Sequence, residues 1–179
     1  MKLKKTITLL ALATITALAL AYQTLPIKHR VEITYIYVAP NKTEALAEDF
    51  QGHQITLTIE GGYLTNICGK TVNAFKQEDV IKLKLTNTGE KTISLPNTAP
   101  WAIYSVKCVQ GILTRAKLVY QPIAAQVIVK LKPNQRLTWA ISLRELSKQV
   151  QVKPGAYEIA FKTIELGELS LHIAIKDQS

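Results

Sequence analysis

The sequence predicts an all-β, antiparallel sandwich of about eight to ten short strands, preceded by one N-terminal hydrophobic helix. Three observations carry that prediction. Runs of alternating apolar and polar residues recur through the chain after residue 30, as half-buried strands require. Gly, Pro and Asn punctuate these runs at short intervals, supplying the turns that join neighbouring strands. The first stretch, Met1 to Ala21, sets Lys2, Lys4 and Lys5 before the unbroken apolar run TITLLALATITALALA, which has no polar face to lie on a protein surface.

That leader assigns residues 1–21 to a signal peptide or membrane anchor, 22–30 to a spacer and 31–179 to the β-sandwich domain. Its small-x-small end, Ala19-Leu20-Ala21, places signal cleavage between Ala21 and Tyr22. The alternative is an uncleaved anchor. Extending the apolar run through Leu25 and Ile27 gives about 20 residues, enough for one span, with membrane contact confined to residues 1–27. Either way the domain belongs outside the cytoplasm: secreted, periplasmic or at the cell surface, or anchored with its C-terminal part outside.

The elements follow in order. Val31–Val38 alternates Val31, Ile33, Tyr35 and Tyr37 with polar residues and is the first strand. Residues 39–53 read as a polar connection, with one helical turn capped by Thr43. Its Asn41-Lys42-Thr43 is an acceptor triplet for N-glycosylation. Gln54 to Glu60 is a strand with Ile55, Leu57 and Ile59 on one face, ended by Gly61-Gly62; no element is assigned from there to Glu78. DVIKLKLTNTGEKTISL, Asp79 to Leu95, reads as a hairpin turning at Asn87-Thr88-Gly89-Glu90.

Trp101 to Cys108 places Ala102, Tyr104, Val106 and Cys108 on one face, and Ile112 to Tyr120 returns after Gly111. Ala125 to Leu131 and Leu137 to Leu143 read as a second hairpin around Lys132-Pro133-Asn134-Gln135. Arg144 to Gln151 has the composition of a short helical crossover. Lys153-Pro154-Gly155 then turns into a strand with Tyr157, Ile159 and Phe161, and a final strand buries Leu169, Leu171, Ile173 and Ile175 while His172 is exposed. Trp139 and Tyr157 are expected in the core with their polar tips bonded, Tyr157 in a tyrosine-corner position.

LTNTGEKTISL, the Trp101 strand, LKPNQRLTW and VKPGAYEIAF, between Asp79 and Thr163, resemble immunoglobulin-like β-sandwich domains of bacterial and archaeal surface proteins. Their order is similar to the domain family named after the Bacillus intracellular proteinase inhibitor. Asn134 stands where that family usually has glycine, and no inhibitory loop transfers residue by residue. The resemblance implies a fold type more than an activity.

Cys68 and Cys108 are an even pair in an exported chain and are expected to form a disulfide. The formal charge of +9 falls to +6 once the three leader lysines are set aside, and the basic residues are spread singly, unlike a nucleic-acid stripe. No metal, cofactor or catalytic residue is assigned. Two cysteines and three scattered histidines lack metal-ligand spacing, and no serine lies in a nucleophile elbow. The expected function is therefore a non-enzymatic envelope or cell-surface module that binds a protein or envelope polymer, or has a structural role there. The alternatives are a pilus or filament subunit that self-associates by strand addition through Val31–Val38, and an extracytoplasmic protease inhibitor. The inhibitor would use the proline-bracketed loop Asn97, Thr98, Ala99, Pro100 and Trp101.

Overall fold

A computed structural model describes the backbone of residues 32–39 and the chain from 41 to 177; the leader, its cleavage site and the spacer lie outside the described residues. All the described elements belong to one compact unit. They are β1 (Glu32–Ala39), β2 (Lys42–Glu48), β3 (Gln54–Glu60), β4 (Tyr63–Ile67), β5 (Lys70–Phe75), β6 (Val80–Asn87) and β7 (Ile93–Leu95). There follow β8 (Trp101–Val109), β9 (Ile112–Tyr120), β10 (Val129–Leu131), β11 (Arg136–Ser142), α1 (Leu143–Gln149), β12 (Gly155–Lys162) and β13 (Glu168–Ile175). No helix among the described residues is long and apolar enough to cross a membrane.

Two large sheets share one core. The first has the order β1-β2-β3-β6-β11, the second β4-β5-β13-β12-β8-β9, and β10-β7 is a small separate pair. Every pairing is antiparallel except β13 with β5. Ile55, Leu57 and Ile59 of β3 and Ile81, Leu83 and Leu85 of β6 join Ile159 and Phe161 of β12 and Leu169 and Leu171 of β13 in a single buried cluster. The period-two patterns foresaw these faces. Apolar area removed from water at roughly 25 cal/mol per Å² is what brings the sheets together.

Three expectations need correction. Residues 39–53 are not a polar connection with a helical turn at Thr43: β2 occupies 42–48 and pairs with β1 across a two-residue link. Its buried face is Thr43, Ala45 and Ala47; a polar threonine and two small, weakly strand-forming alanines do not stand out between Glu44 and Glu48 as an apolar stripe. β4 and β5, unassigned in the sequence, form a hairpin instead. Gly62, at φ +63°, makes it possible, since a Cβ there would lie 2.0 Å from the Ala74 carbonyl oxygen.

Neither hairpin predicted around Asn87 or Pro133 forms. β6 is flanked on both sides by β3 and β11, so it has no free edge for β7, which pairs with β10 in the small sheet. Ala125 and Val127 are exposed and lie outside β10. Asn87 organises this switch. Its amide donates to the Lys91 and Leu131 carbonyls, both at 2.7 Å, and its Oδ1 accepts the Gly89 N–H at 3.1 Å, all from a fully buried position. Asn87→Ala strands the buried Leu131 carbonyl and removes the bonds to the Lys91 carbonyl and the Gly89 N–H. It is expected to cost about 3 kcal/mol in urea unfolding; a loss below about 1 kcal/mol would show that the crossing is held by other contacts.

α1 agrees with the predicted crossover, and Ser142 Oγ caps it by accepting the Glu145 N–H. Trp139 donates its indole N–H to the Thr98 carbonyl and packs against Phe161 at 5.4 Å. Tyr157 is buried; its hydroxyl donates to the Lys153 carbonyl at 2.6 Å and accepts the Lys153 N–H at 3.1 Å, tying the start of β12 to the chain four residues upstream. Burial pushes the Tyr157 hydroxyl above its ordinary value, against the pull of the Lys153 backbone bond.

Candidate functional site

The outer face of the six-stranded sheet, turned away from the core, carries a cluster of charged side chains drawn from three strands. Glu158 of β12 stands opposite Tyr104 of β8 on one side and His172 of β13 on the other. Arg115 of the neighbouring β9 reaches over Tyr104, its guanidinium carbon 4.1 Å from the ring centroid. It donates to both Glu158 oxygens, Nε to Oε2 and Nη2 to Oε1, each at 2.8 Å, and to Glu168 Oε1 at 2.5 Å. A carboxylate only 8% exposed is thereby held in a two-pronged pair.

Burial would raise the Glu158 carboxyl, but the Arg115 bonds, a bond from Ser170 and the Arg115 charge outweigh it and hold it below the usual carboxylate range. Its two glutamate bonds lift Arg115 further above its already high value, against the opposing effect of burial. His172 is half-buried, not exposed as the alternation suggested. Burial, then Lys70, lower it below the ordinary imidazole value, and Glu158 only partly opposes them. At neutral pH Glu158 is therefore held as a carboxylate beside the Arg115 guanidinium and a neutral His172 imidazole, with no carboxylic proton to donate.

Part of this face is covered by the β4–β5 hairpin. Cys68 at its tip is bonded to Cys108 of β8, with 5.7 Å between their Cα atoms. In the sheet order β13 and β12 separate β5 from β8, a lateral distance of about 14 Å at normal strand spacing. β5 meets β13 only over residues 73–75, so the rest of the hairpin must cross the outer face to reach Cys108. Val72 and Ala74 are buried there with Ala174. The alternation that put Tyr104, Val106 and Cys108 on one face foresaw the attachment point; that the face is roofed depends on β4 and β5.

The proline-bracketed loop lies at the other end of this face. Ala99 N–H donates to the Asn97 side chain, Pro100 is buried, the Pro100 carbonyl accepts from Lys162 N–H, and of the five loop residues only Thr98 is exposed. With Tyr104, Lys162 and Glu168 it bounds a depression of about 50 Å³, room for no more than a water or two. A wider, open groove of about 180 Å³ lies on the side of the molecule where Trp101 and Tyr120 face Ala140, Ser142 and α1. Trp101 is 7% exposed, and its indole N–H has no hydrogen-bond partner among the described residues.

Asn41, the predicted glycosylation acceptor, is exposed at the β1–β2 turn, while its backbone carbonyl accepts from Gly61 N–H and the Asn73 side chain. Thr43 of the same triplet is buried and donates to Asn73 Oδ1 at 2.6 Å. β1 ends its sheet, with β2 as its strand neighbour. No group of three His, Cys, Asp or Glu side chains able to hold a metal ion occurs among the described residues.

No protein-family model matches the chain. No curated protein matches it either. Among solved structures it is similar to a beta-glucosidase from Listeria innocua, in the crystal structure with glucose, at 10% identity and a TM-score of 0.32 over 72% of this chain and 16% of that one. The same enzyme with isofagomine gives 9% identity and a TM-score of 0.33 over 74% and 17%. The chain spans about one sixth of the length of these structures, and a likeness of this extent carries no conclusion about its activity.

Proposed function

We propose that this protein is an exported, non-enzymatic module with an immunoglobulin-like fold that binds a protein or polymer partner in the cell envelope or at the cell surface. The observation that carries the reading is the Cys68–Cys108 bond, which closes the only two cysteines of the chain into a latch across the outer face and belongs to an oxidising compartment. The Tyr157 hydroxyl bonded back to Lys153 supports the immunoglobulin-like element of the reading. The basic and apolar leader supports export. Both outer-face glutamates are bound by Arg115, and the Glu158 carboxyl is held below the usual carboxylate range, a state suited to holding strands together more than to acid catalysis.

The full chain expressed with its own leader, fractionated and treated with a maleimide before and after reduction, tests this directly. Both cysteines are expected to resist alkylation until reduced, in an extracytoplasmic fraction, with an N-terminus at Tyr22 or at Met1 according to whether the leader is removed. Reduced protein confined to the cytoplasm overturns the reading. A filament role for the first strand has one observation in its favour: β1 is a terminal strand. Fibres or dimers growing with concentration in the mature protein would be its signature.

A further inference from the structure

The six-stranded sheet ends at β9, and no strand lies along its outer side among the described residues. The far half of β9 and the facing part of β8 overhang the core: from 107 to 118 every residue is exposed except the half-buried Leu113. Apolar side chains stand in water there, Ile112 at 64% and Leu118 at 45% exposure, and Ile123 and Ile128 of the next connection are exposed as well. An open edge flanked by such side chains is a template for an added strand.

Charge decides which strand. Between Glu90 and Glu145 the chain has no acidic residue and eight lysines and arginines. Arg115 is neutralised by its two glutamates, whereas Lys107 and Lys117, both exposed, have no anionic partner among the described residues. A second copy fits poorly. Two β9 strands paired antiparallel would bring two basic edges together, Lys107 and Lys117 of each copy, and like charges at close range are destabilising. Beside the same edge, Trp101 and Tyr120 line the open groove, where the buried indole N–H of Trp101 lacks an acceptor.

We propose that β9 accepts an extended, acidic segment of a partner protein, added as a strand along Ile112–Tyr120. Carboxylates of that segment lie on the face that carries Lys117 and, one strand inward, Lys107, its apolar residues cover Leu118 on the opposite face, and it supplies an acceptor near Trp101. This names the partner class of the binding module proposed above and rests on that reading.

The test uses the oxidised protein of mature length and two fluorescein-labelled peptides, one alternating valine with glutamate and one alternating valine with lysine. The acidic peptide is expected to bind about tenfold more tightly at low salt, to weaken as salt rises, and to slow amide exchange within 112–120. Lys107→Glu with Lys117→Glu should reverse the preference. Both positions are exposed, so an unchanged urea midpoint certifies the fold of the variant. Binding of neither peptide, equal binding of both, a preference that survives the reversal, or protection at β1 instead of β9 each overturns the proposal. The alkylation experiment reads compartment and thiol state alone, so failure here leaves its result standing.

Discussion

Replacing Cys68 and Cys108 together by serine is expected to remove about 4 kcal/mol of stability, because the crosslink joins residues 40 apart in sequence and a loop of that length loses much of its entropy in the unfolded chain. Cys108 is exposed and Cys68 lies in a turn, so serine fits either position without a cavity. Urea unfolding of the variant, beside wild type with and without reductant, measures the loss as a lower midpoint. The same change should loosen the β4–β5 hairpin more than the core. Amide exchange at residues 70–72 is expected to accelerate while that of β12 keeps pace with global unfolding. Equal midpoints for reduced and oxidised wild type would show that packing of Val72 and Ala74 alone holds the hairpin in place.

Arg115→Met is expected to cost about 2–3 kcal/mol at neutral pH. Methionine keeps the reach of the side chain over Tyr104 but leaves the Glu158 carboxylate buried beside no cation. Removing one partner of a fully buried pair costs roughly 3–5 kcal/mol; Arg115 is 35% exposed on its side chain, so solvent relieves part of that. Glu158→Gln should cost less, since the guanidinium left behind keeps Glu168 and water.

The pH dependence separates this account from simple loss of packing. In wild type the Glu158 carboxyl titrates lower in the folded state than its ordinary 4.5, so its contribution is present above that value and is lost as pH falls through the folded one. Without Arg115, burial leaves the carboxyl raised. Its contribution is then fully present below the ordinary value and is lost as pH rises through the folded one. The deficit of Arg115→Met should therefore shrink as pH is lowered from about 7 towards about 4.5. A deficit constant over that range would assign the loss to packing.

How far the sequence reached is clearest strand by strand. β3, β6, β12 and β13 carry branched or aromatic residues at alternate positions and face one core, so local periodicity and tertiary burial agree there. β2 hid its core face in threonine and alanine. β4 exposes Tyr63 and Asn66 and buries nothing fully, because a hairpin folded over the outer face of its own sheet is covered on one side by polar surface. β9 was legible as a strand, yet its exposure on both faces was not, since that depends on how far the opposite sheet extends.

Of the candidate site residues, the cysteine pair and the face leading to Cys108 were legible, because parity and period two are local properties. The Arg115, Glu158 and Glu168 cluster was not: it joins three strands with 43 and 53 residues between Arg115 and its partners, and each member taken alone looks like a solvated charge. Sequence by itself determined a disulfide-competent, all-β chain and most of its core, and it predicted export. Only the tertiary structure decided which strands pair, that β6 lies between β3 and β11 and sends β7 to β10, that a latched hairpin roofs the outer face, and that β9 is left as an open basic edge. The reason is physical. Alternation specifies which face of a strand is buried, whereas the choice of neighbour is made by competition among many edges for the same backbone hydrogen bonds, settled here by buried groups such as Asn87 and by the span of the Cys68–Cys108 bond.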